Sequence, residues 1–386
     1  MLEQSSQPGP TWVEEGGYYR ISRYNEVTQV CLDPATFSSN LVAFVLKGTG
    51  DGTQIMEIPD GIPRPRDVLA IADAPDHTRQ RKLLNPQFKG KGLKGYQELV
   101  DQVADELGQN IDKNTSEWMA EFAVPLPLKV MSQLIGLPDE DYDKLKDWSD
   151  AGVAIIDGTA TGDNLMQLAA LILGFQAYLS DALHAAAKNT PESLLGKLHT
   201  MITGNQMDHE EAVSILLQLV VAGSESTSSL IGAMAYRLAS DGALQRQLRE
   251  NPDQRASFVE EVLRVDSPFK GHFRVLTQDT EIGGVQMNSG TRLMLHWGQA
   301  NQDTQMFQDP ATVQHKRDNV RKHLAFGHGI HRCIGSGLAQ MEAAAALRIL
   351  LDILPQFNLL DGTEPREKKS VFTKRLEDLR LEFQSA

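Results

Sequence analysis

Residues 208–240 constrain the fold more than any other part of the chain. From residue 212 to 222 the sequence is apolar nearly all round, Ser214 and Gln218 excepted. A helix without a polar face has to be buried. At about 1.5 Å per residue this one would run roughly 50 Å, the breadth of a whole domain. Asp208 and Glu211 have the spacing of a capping box at its start. Its middle is anomalous, reading Gly223-Ser224-Glu225-Ser226-Thr227-Ser228-Ser229. A carboxylate and several hydroxyls inside a buried helix cost free energy unless they are paired or serve a purpose.

Burying such a helix takes many others around it, and 386 residues can supply them. Helical spacing recurs at 25–32, 96–110, 117–135 (closed by Gly136 and Pro138) and 165–188. Asn251-Pro252 reads as the cap and first turn of a helix that ends before Pro268, and 335–354 as the last helix. Residues 18–23 alternate as a strand does. Residues 273–296 read as strands with turns at Gly283-Gly284 and 288–290, and 371–383 as a closing hairpin. The predicted class is mainly α with small β sheets. No repeat, low-complexity tract or linker divides the sequence, so 1–386 reads as one domain, with 1–17 as a loose lead-in.

The formal charge of −14 argues against nucleic acid as a partner, because no basic domain balances the acidic surface. Two cysteines, Cys31 and Cys333, are too few for a disulfide framework and point to a reducing, cytoplasmic compartment. No charged-then-apolar leader opens the chain. No uninterrupted apolar run approaches the roughly 20 residues that span a bilayer, so no membrane anchor is expected.

Residues 326–335 read Phe-Gly-His-Gly-Ile-His-Arg-Cys-Ile-Gly. Gly327 and Gly329 permit tight backbone conformations and the close approach of a flat ligand. Cys333 lies just before a predicted helix, where free N–H groups and the helix dipole favour a thiolate. An inert buried cysteine in a Gly-rich turn would need none of this pattern. A zinc reading of His328, His331 and Cys333 has three ligands at an unusual spacing and no obvious fourth. The decapeptide fits Phe-Gly-x-Gly-x-His-x-Cys-x-Gly at every specified position, a coincidence on the order of 10⁻⁸ or less at background frequencies. In this the chain resembles the cytochrome P450 family.

The resemblance extends from about residue 18 to 383. It implies that family's mostly α heme-thiolate fold, with heme b (iron protoporphyrin IX) as cofactor. Cys333 would be the iron ligand, a thiolate that pushes electron density onto the metal, with Phe326 and Gly327 in the same loop against the heme. Glu261 and Arg264 match the Glu-x-x-Arg pair that anchors the fold on the thiolate side. His77, Arg81, Arg274 and His331 match residues that contact the heme propionates; His77 and Arg81 sit one turn apart. Residues 222–227 match the polar break of the family's central helix. There Ala222 and Gly223 would leave room over the heme, and Glu225, Ser226 and Thr227 would form the acid–alcohol group tied to proton delivery. The family usually has threonine where Ser226 stands, and a hydroxyl bonded back to its own helix is the plain alternative for Ser226. Val313 and Gln340 replace a usual aromatic and a frequent arginine.

The implied reaction inserts one atom of O₂ into a small organic substrate, by hydroxylation or epoxidation. Electrons would come from a separate ferredoxin and its NAD(P)H-dependent reductase, since no flavin, nicotinamide or iron–sulfur segment is visible. Arg79, Lys82, Arg321, Lys322 and Arg332 are candidates for docking that partner. A peroxide-driven peroxygenase and a heme-binding gas sensor are the alternatives. Glu225 with a hydroxyl at 226 favours O₂ activation, and no signalling module accompanies the chain. Gln218, Val221, Ala222, Lys270 and Phe372, with the loop 63–72, are candidates for the substrate pocket. A desolvated ammonium at Lys270 would favour an acceptor or carboxylate on the substrate.

Overall fold

The computed structural model describes residues 9–40, 43–47, 53–57, 66–156, 159–160, 164–189, 192–370 and 372–384. Its α-helices are α1 (Tyr24–Leu32), α2 (Asp76–Phe88), α3 (Gly90–Lys94), α4 (Gln97–Gln109), α5 (Pro125–Ile135), α6 (Tyr142–Ile156), α7 (Leu165–Asn189), α8 (Leu194–Thr203), α9 (His209–Ser240), α10 (Gly242–Glu250), α11 (Arg255–Val265), α12 (Trp297–Ala300) and α13 (Ser336–Arg348). The strands β1 (Thr11–Val13), β2 (Tyr18–Ile21), β3 (Phe37–Ser38), β7 (His272–Leu276) and β10 (Arg292–Leu295) make one sheet in the order β1-β2-β10-β7-β3. Two hairpins, β4 (Ala43–Lys47) with β5 (Thr53–Glu57) and β8 (Thr280–Ile282) with β9 (Val285–Met287), stand apart from it. A third sheet is ordered β11-β12-β6, from Phe357–Leu359, Arg380–Phe383 and Thr115–Glu117. The expected class, mainly α with small sheets, is what the chain forms.

The long apolar helix is α9, and it is the axis of the core. It packs against α5, α6, α7 and α13. Small residues set how closely these helices meet. A Cβ at Gly152 of α6 would lie 2.7 Å from Val221, and one at Gly223 would lie 2.7 Å from Cε of Met131 on α5. By length and mean hydropathy Leu165–Ala186 and His209–Ser240 are long and apolar enough to cross a bilayer, although polar residues interrupt both runs. Most of α9 is buried in the core, whereas α7 leaves Met166 and Leu173 exposed.

Other expectations change in detail. Asp208 caps α9 by accepting the N–H of Glu211 at 2.8 Å, but the reciprocal half of the capping box is absent. The Glu211 carboxylate is taken instead by Arg79 (2.6 Å) and Gln80 (2.8 Å). Helix 117–135 starts later, because Glu117 pairs with Arg380 in β6 and a π-helical turn fills Met119–Ala123 before Pro125 opens α5. Asn251 does not cap; its amide donates to the Gln247 carbonyl of α10 (2.8 Å), and α11 begins only after a 3₁₀ turn at Pro252–Gln254. The hairpin expected at 371–383 is not one. Residues 380–383 pair with β11 and β6, while a separate turn at 366–377 is closed by Lys368 N–H to the Arg375 carbonyl (2.7 Å). Lys374 and Arg375 are drawn to Asp266 and Glu225, which holds that turn in its register.

Candidate active site

The cysteine loop folds as its glycines dictate. Gly327 and Gly329 sit at φ +68° and +69°, in the left-handed region that side chains avoid. The close approach at Gly329 is made by protein: a Cβ there would lie 2.2 Å from the Cys31 carbonyl oxygen of α1. The Cys333 N–H donates to the Phe326 carbonyl at 2.8 Å and closes the loop. The Cys333 side chain is accessible, although many protein atoms lie around it. Burial raises the thiol pKa, while the backbone N–H of Gly335, Arg81, Arg332 and the N–H of Ser336 pull it back towards the thiolate.

Beside this sulfur, three elements bring basic groups together. His77 of α2 and His331 of the loop lie with ring centroids 4.1 Å apart. Nδ1 of His77 and both ring nitrogens of His331 are buried without a hydrogen bond of good geometry. Burial, then the charges of Arg274, His77 and Arg81, pushes His331 down to about 3. Arg274 of β7 is buried, and among the described residues its one hydrogen bond is to the carbonyl of its own neighbour Phe273 (2.7 Å). Arg81 donates to the Arg332 carbonyl (2.8 Å). The nearby carboxylate of Asp73 is occupied by Ser38 Oγ (2.5 Å) and the Ser39 N–H (2.9 Å). Buried polar groups normally have partners. A cluster of basic groups short of acceptors, next to an accessible cysteine, fits the two propionates and the iron of a heme.

Behind the loop, Glu261 and Arg264 are fully buried and joined by two 2.8 Å hydrogen bonds. The remaining Arg264 N–H groups reach the carbonyls of Asn301, Pro310 and Thr312, and Arg317 adds a second cation on Glu261 at 3.2 Å. Arg317 gave no signal in the sequence, because its spacing from Glu261 follows no local period.

On α9, Ala222 is exposed and Ser226 half-buried, although residues 219–221 and 227–231 are buried. This accessible face is the one the polar break presents. The neighbour of Gly223 is Met131, so of the two residues expected to leave room, Ala222 is the one on the accessible face. The Ser226 hydroxyl donates to the Ala222 carbonyl at 2.9 Å. Glu225 lies on another side of the helix, paired with Arg375 and with Lys368 (3.5 Å) of the 366–377 turn. It borders a narrow gap shared with Lys146, Ser149, Asp150 and Arg375. Thr227 is buried, and its hydroxyl bonds Glu342 of α13. The residues of the break therefore point three ways.

The expected pocket is placed unevenly. Val221 is core, locked into the notch at Gly152, since α6 needs that side of α9. The Lys270 ammonium is tied to the Ser370 carbonyl (2.7 Å) and near Glu367 (4.0 Å), which satisfies it without a substrate. Phe372 packs edge-on against Phe273, 5.5 Å between centroids. Gln218 accepts the Ala70 N–H at 3.1 Å; of loop 63–72, residues 63–65 lie outside the described residues. Among the docking candidates Arg79 is engaged by Glu211 and Asp76, whereas Lys82, Arg321, Lys322 and Arg332 are exposed.

A mostly helical chain with a cysteine at the head of its last long helix, and buried donors gathered beside it, is built as a heme-thiolate enzyme. Residues 172–376 match the sequence profile described as "Cytochrome P450". "Cytochrome P450 144" of Mycobacterium tuberculosis is 32% identical over 375 residues, covering 96% of this chain and 85% of that protein. The "Biotin biosynthesis cytochrome P450" of Bacillus subtilis is 32% identical over 318 residues, 82% of this chain and 80% of that one. A Bacillus megaterium structure, CYP109E1 in complex with testosterone, superposes at TM-score 0.87 with 26% identity, over 99% and 96% of the two chains. P450BioI in complex with an acyl carrier protein ligated to hexadec-9Z-enoic acid also gives TM-score 0.87, at 28% identity over 97% and 94%. The chain belongs to the cytochrome P450 family. It is a heme b monooxygenase that acts on an organic substrate with O₂.

Proposed function

We propose that this chain is a single-domain cytoplasmic monooxygenase in which Cys333 ligates the heme iron and a ferredoxin, reduced by an NAD(P)H-dependent reductase, supplies electrons. The observation that carries the reading is the His77–His331–Arg274 group beside the accessible Cys333 sulfur, with buried ring nitrogens that lack good hydrogen bonds and a guanidinium bound only to the carbonyl of its own neighbour among the described residues. When bound, heme supplies the reductive activation of O₂ and the transfer of one oxygen atom to a C–H bond or alkene. His77, Arg81, Arg274 and His331 hold the propionates. The N–H groups of Gly335 and Ser336, with Arg81 and Arg332, favour the thiolate of Cys333. Lys82, Arg321, Lys322 and Arg332 offer the partner an exposed basic surface near the loop. The purified protein should be red, and its reduced CO complex should show the strongly red-shifted Soret band of a thiolate heme. Cys333→His should abolish that band and monooxygenation; a normal shifted band in the variant overturns the ligand assignment.

In this reading Ser226 holds a proton donor on the accessible face of α9, and Glu225 relays protons from the gap beside Arg375. Breaking the Ser226 bond to the Ala222 carbonyl costs one ordinary hydrogen bond, about 1 kcal/mol, so the hydroxyl can turn to the pocket during turnover. Ser226→Ala should keep heme and substrate binding but divert reducing equivalents to peroxide. Glu225→Gln should mainly slow turnover. The readout is product and peroxide per NAD(P)H consumed with redox partners in excess. Both variants matching wild type in rate and coupling would take the proton route away from these residues.

A further inference from the structure

Gln218 lies two turns before Ser226, on the face of α9 it shares with Ala222. Its Oε1 accepts the Ala70 N–H at 3.1 Å. A peptide N–H can only donate, so this bond fixes which end of the amide is oxygen. The Nε2 group therefore turns away from Ala70, and among the described residues it makes no hydrogen bond. The Ala70 segment that orients it is itself held. Arg66 pairs with Asp208 at the start of α9 (2.5 Å), and Gln80 accepts the Leu69 N–H (2.7 Å) while donating to the buried Glu211 (2.8 Å). Leu69 sits at φ +43°, a conformation costly for a residue with a side chain and kept only where surrounding bonds over-determine it.

Lys270 has its ammonium bound to Ser370. Of the polar pocket candidates, Gln218 is the one that is both oriented and open. Along α9 it stands about 12 Å from Ser226, at eight residues of about 1.5 Å each. The wall between them on this face is Ala222. We infer that Gln218 selects the substrate: its amide N–H donates to a carbonyl or carboxylate carried about 12 Å from the oxidised carbon of an elongated, otherwise apolar molecule. A donor fixed before binding loses little freedom when it is used, and a ligand without an acceptor leaves it orphaned.

This inference rests on the heme-thiolate reading above. The test titrates dodecanoic acid, its methyl ester and dodecane, and the matching decane and hexadecane sets, against the ferric heme spectrum. Wild type, Gln218→Leu and Gln218→Glu are compared. The acids and esters should bind roughly tenfold more weakly to Gln218→Leu, and the alkanes equally well to both. Gln218→Glu keeps an acceptor for Ala70 but turns a second oxygen to the pocket, so it should weaken the acids more than the esters. The inference fails if no acceptor-bearing probe is weakened by Gln218→Leu, or if the alkanes lose as much. A red-shifted CO band in all three proteins shows that the heme site is intact; its absence from wild type would count against the heme-thiolate reading instead.

Discussion

Arg264→Leu is expected to lose about 3–5 kcal/mol of stability and, with it, most of the folded protein. The guanidinium has no exposure, and neither does its partner Glu261. Removing one member of a buried pair leaves the other charge without compensation in a low dielectric. Arg317 alone cannot restore the balance, because it meets Glu261 through a single 3.2 Å contact and is otherwise committed to the Gln308, Asp309 and Thr312 carbonyls. The substitution also orphans the carbonyls of Asn301 and Pro310, which Arg264 now satisfies. These lie in the segment that leads to the cysteine loop, where Asn301 also fixes the Leu324 N–H at 2.6 Å. Against a total of about 5–15 kcal/mol for a folded chain the loss is large. Arg264→Lys keeps the charge but not the fork, and should fall between. The measurement is the urea unfolding midpoint of each variant with matched heme content. An Arg264→Leu midpoint equal to wild type would show that the network contributes specificity of fold and no net stability.

How much of this was legible in the sequence depends on whether the interaction was local. The apolar run of α9, the Gly136 stop and the Gly283-Gly284 turn follow from periodicity and backbone sterics, and they lie where the pattern puts them. The Glu261–Arg264 pair is three residues apart and could be read; Arg317, 56 residues beyond Glu261, could not. The same limit explains Glu211. A capping box is a local rule, and it lost to Arg79 and Gln80, which sit more than 130 residues earlier in the chain. Glu225 shows it again: the sequence flags a carboxylate in a buried helix, but its partners Arg375 and Lys368 come from a turn that only tertiary contacts place. For Val221 a helix wheel tells which residues share a face, not which neighbour claims that face; Lys270 lies in a connecting segment, and its ammonium is claimed by the distant Ser370 carbonyl.

Nothing in the sequence marks Glu342, and it should dominate the pH dependence of stability. It is buried in α13, and among the described residues its Oε2 has no hydrogen bond and the Thr227 hydroxyl is its one polar partner. Burial pushes its pKa up from 4.5 to about 8, with Thr227 only partly opposing that. Between those two values the folded chain holds a proton that the unfolded chain has released. Stability should therefore fall as pH rises through this window, by up to about 1.4 kcal/mol per pH unit from this group. Buried histidines push the other way at lower pH. His272 and His296 are held down to about 4, so each favours the folded state increasingly as pH rises from there to about 6.5. Absolute curves mix these trends, and a difference between variants separates them. Glu342→Gln copies the neutral acid and cannot ionise. At pH 5 it should match wild type within about 1 kcal/mol, since either side chain leaves one polar atom unpaired. By pH 8 it should be more stable by a few kcal/mol. Urea unfolding of both proteins at pH 5, 6, 7 and 8, with matched heme content, reads this directly. Parallel stability curves across that range would mean that Glu342 ionises in the fold at its ordinary pKa, with hydrogen-bond donors that compensate the charge.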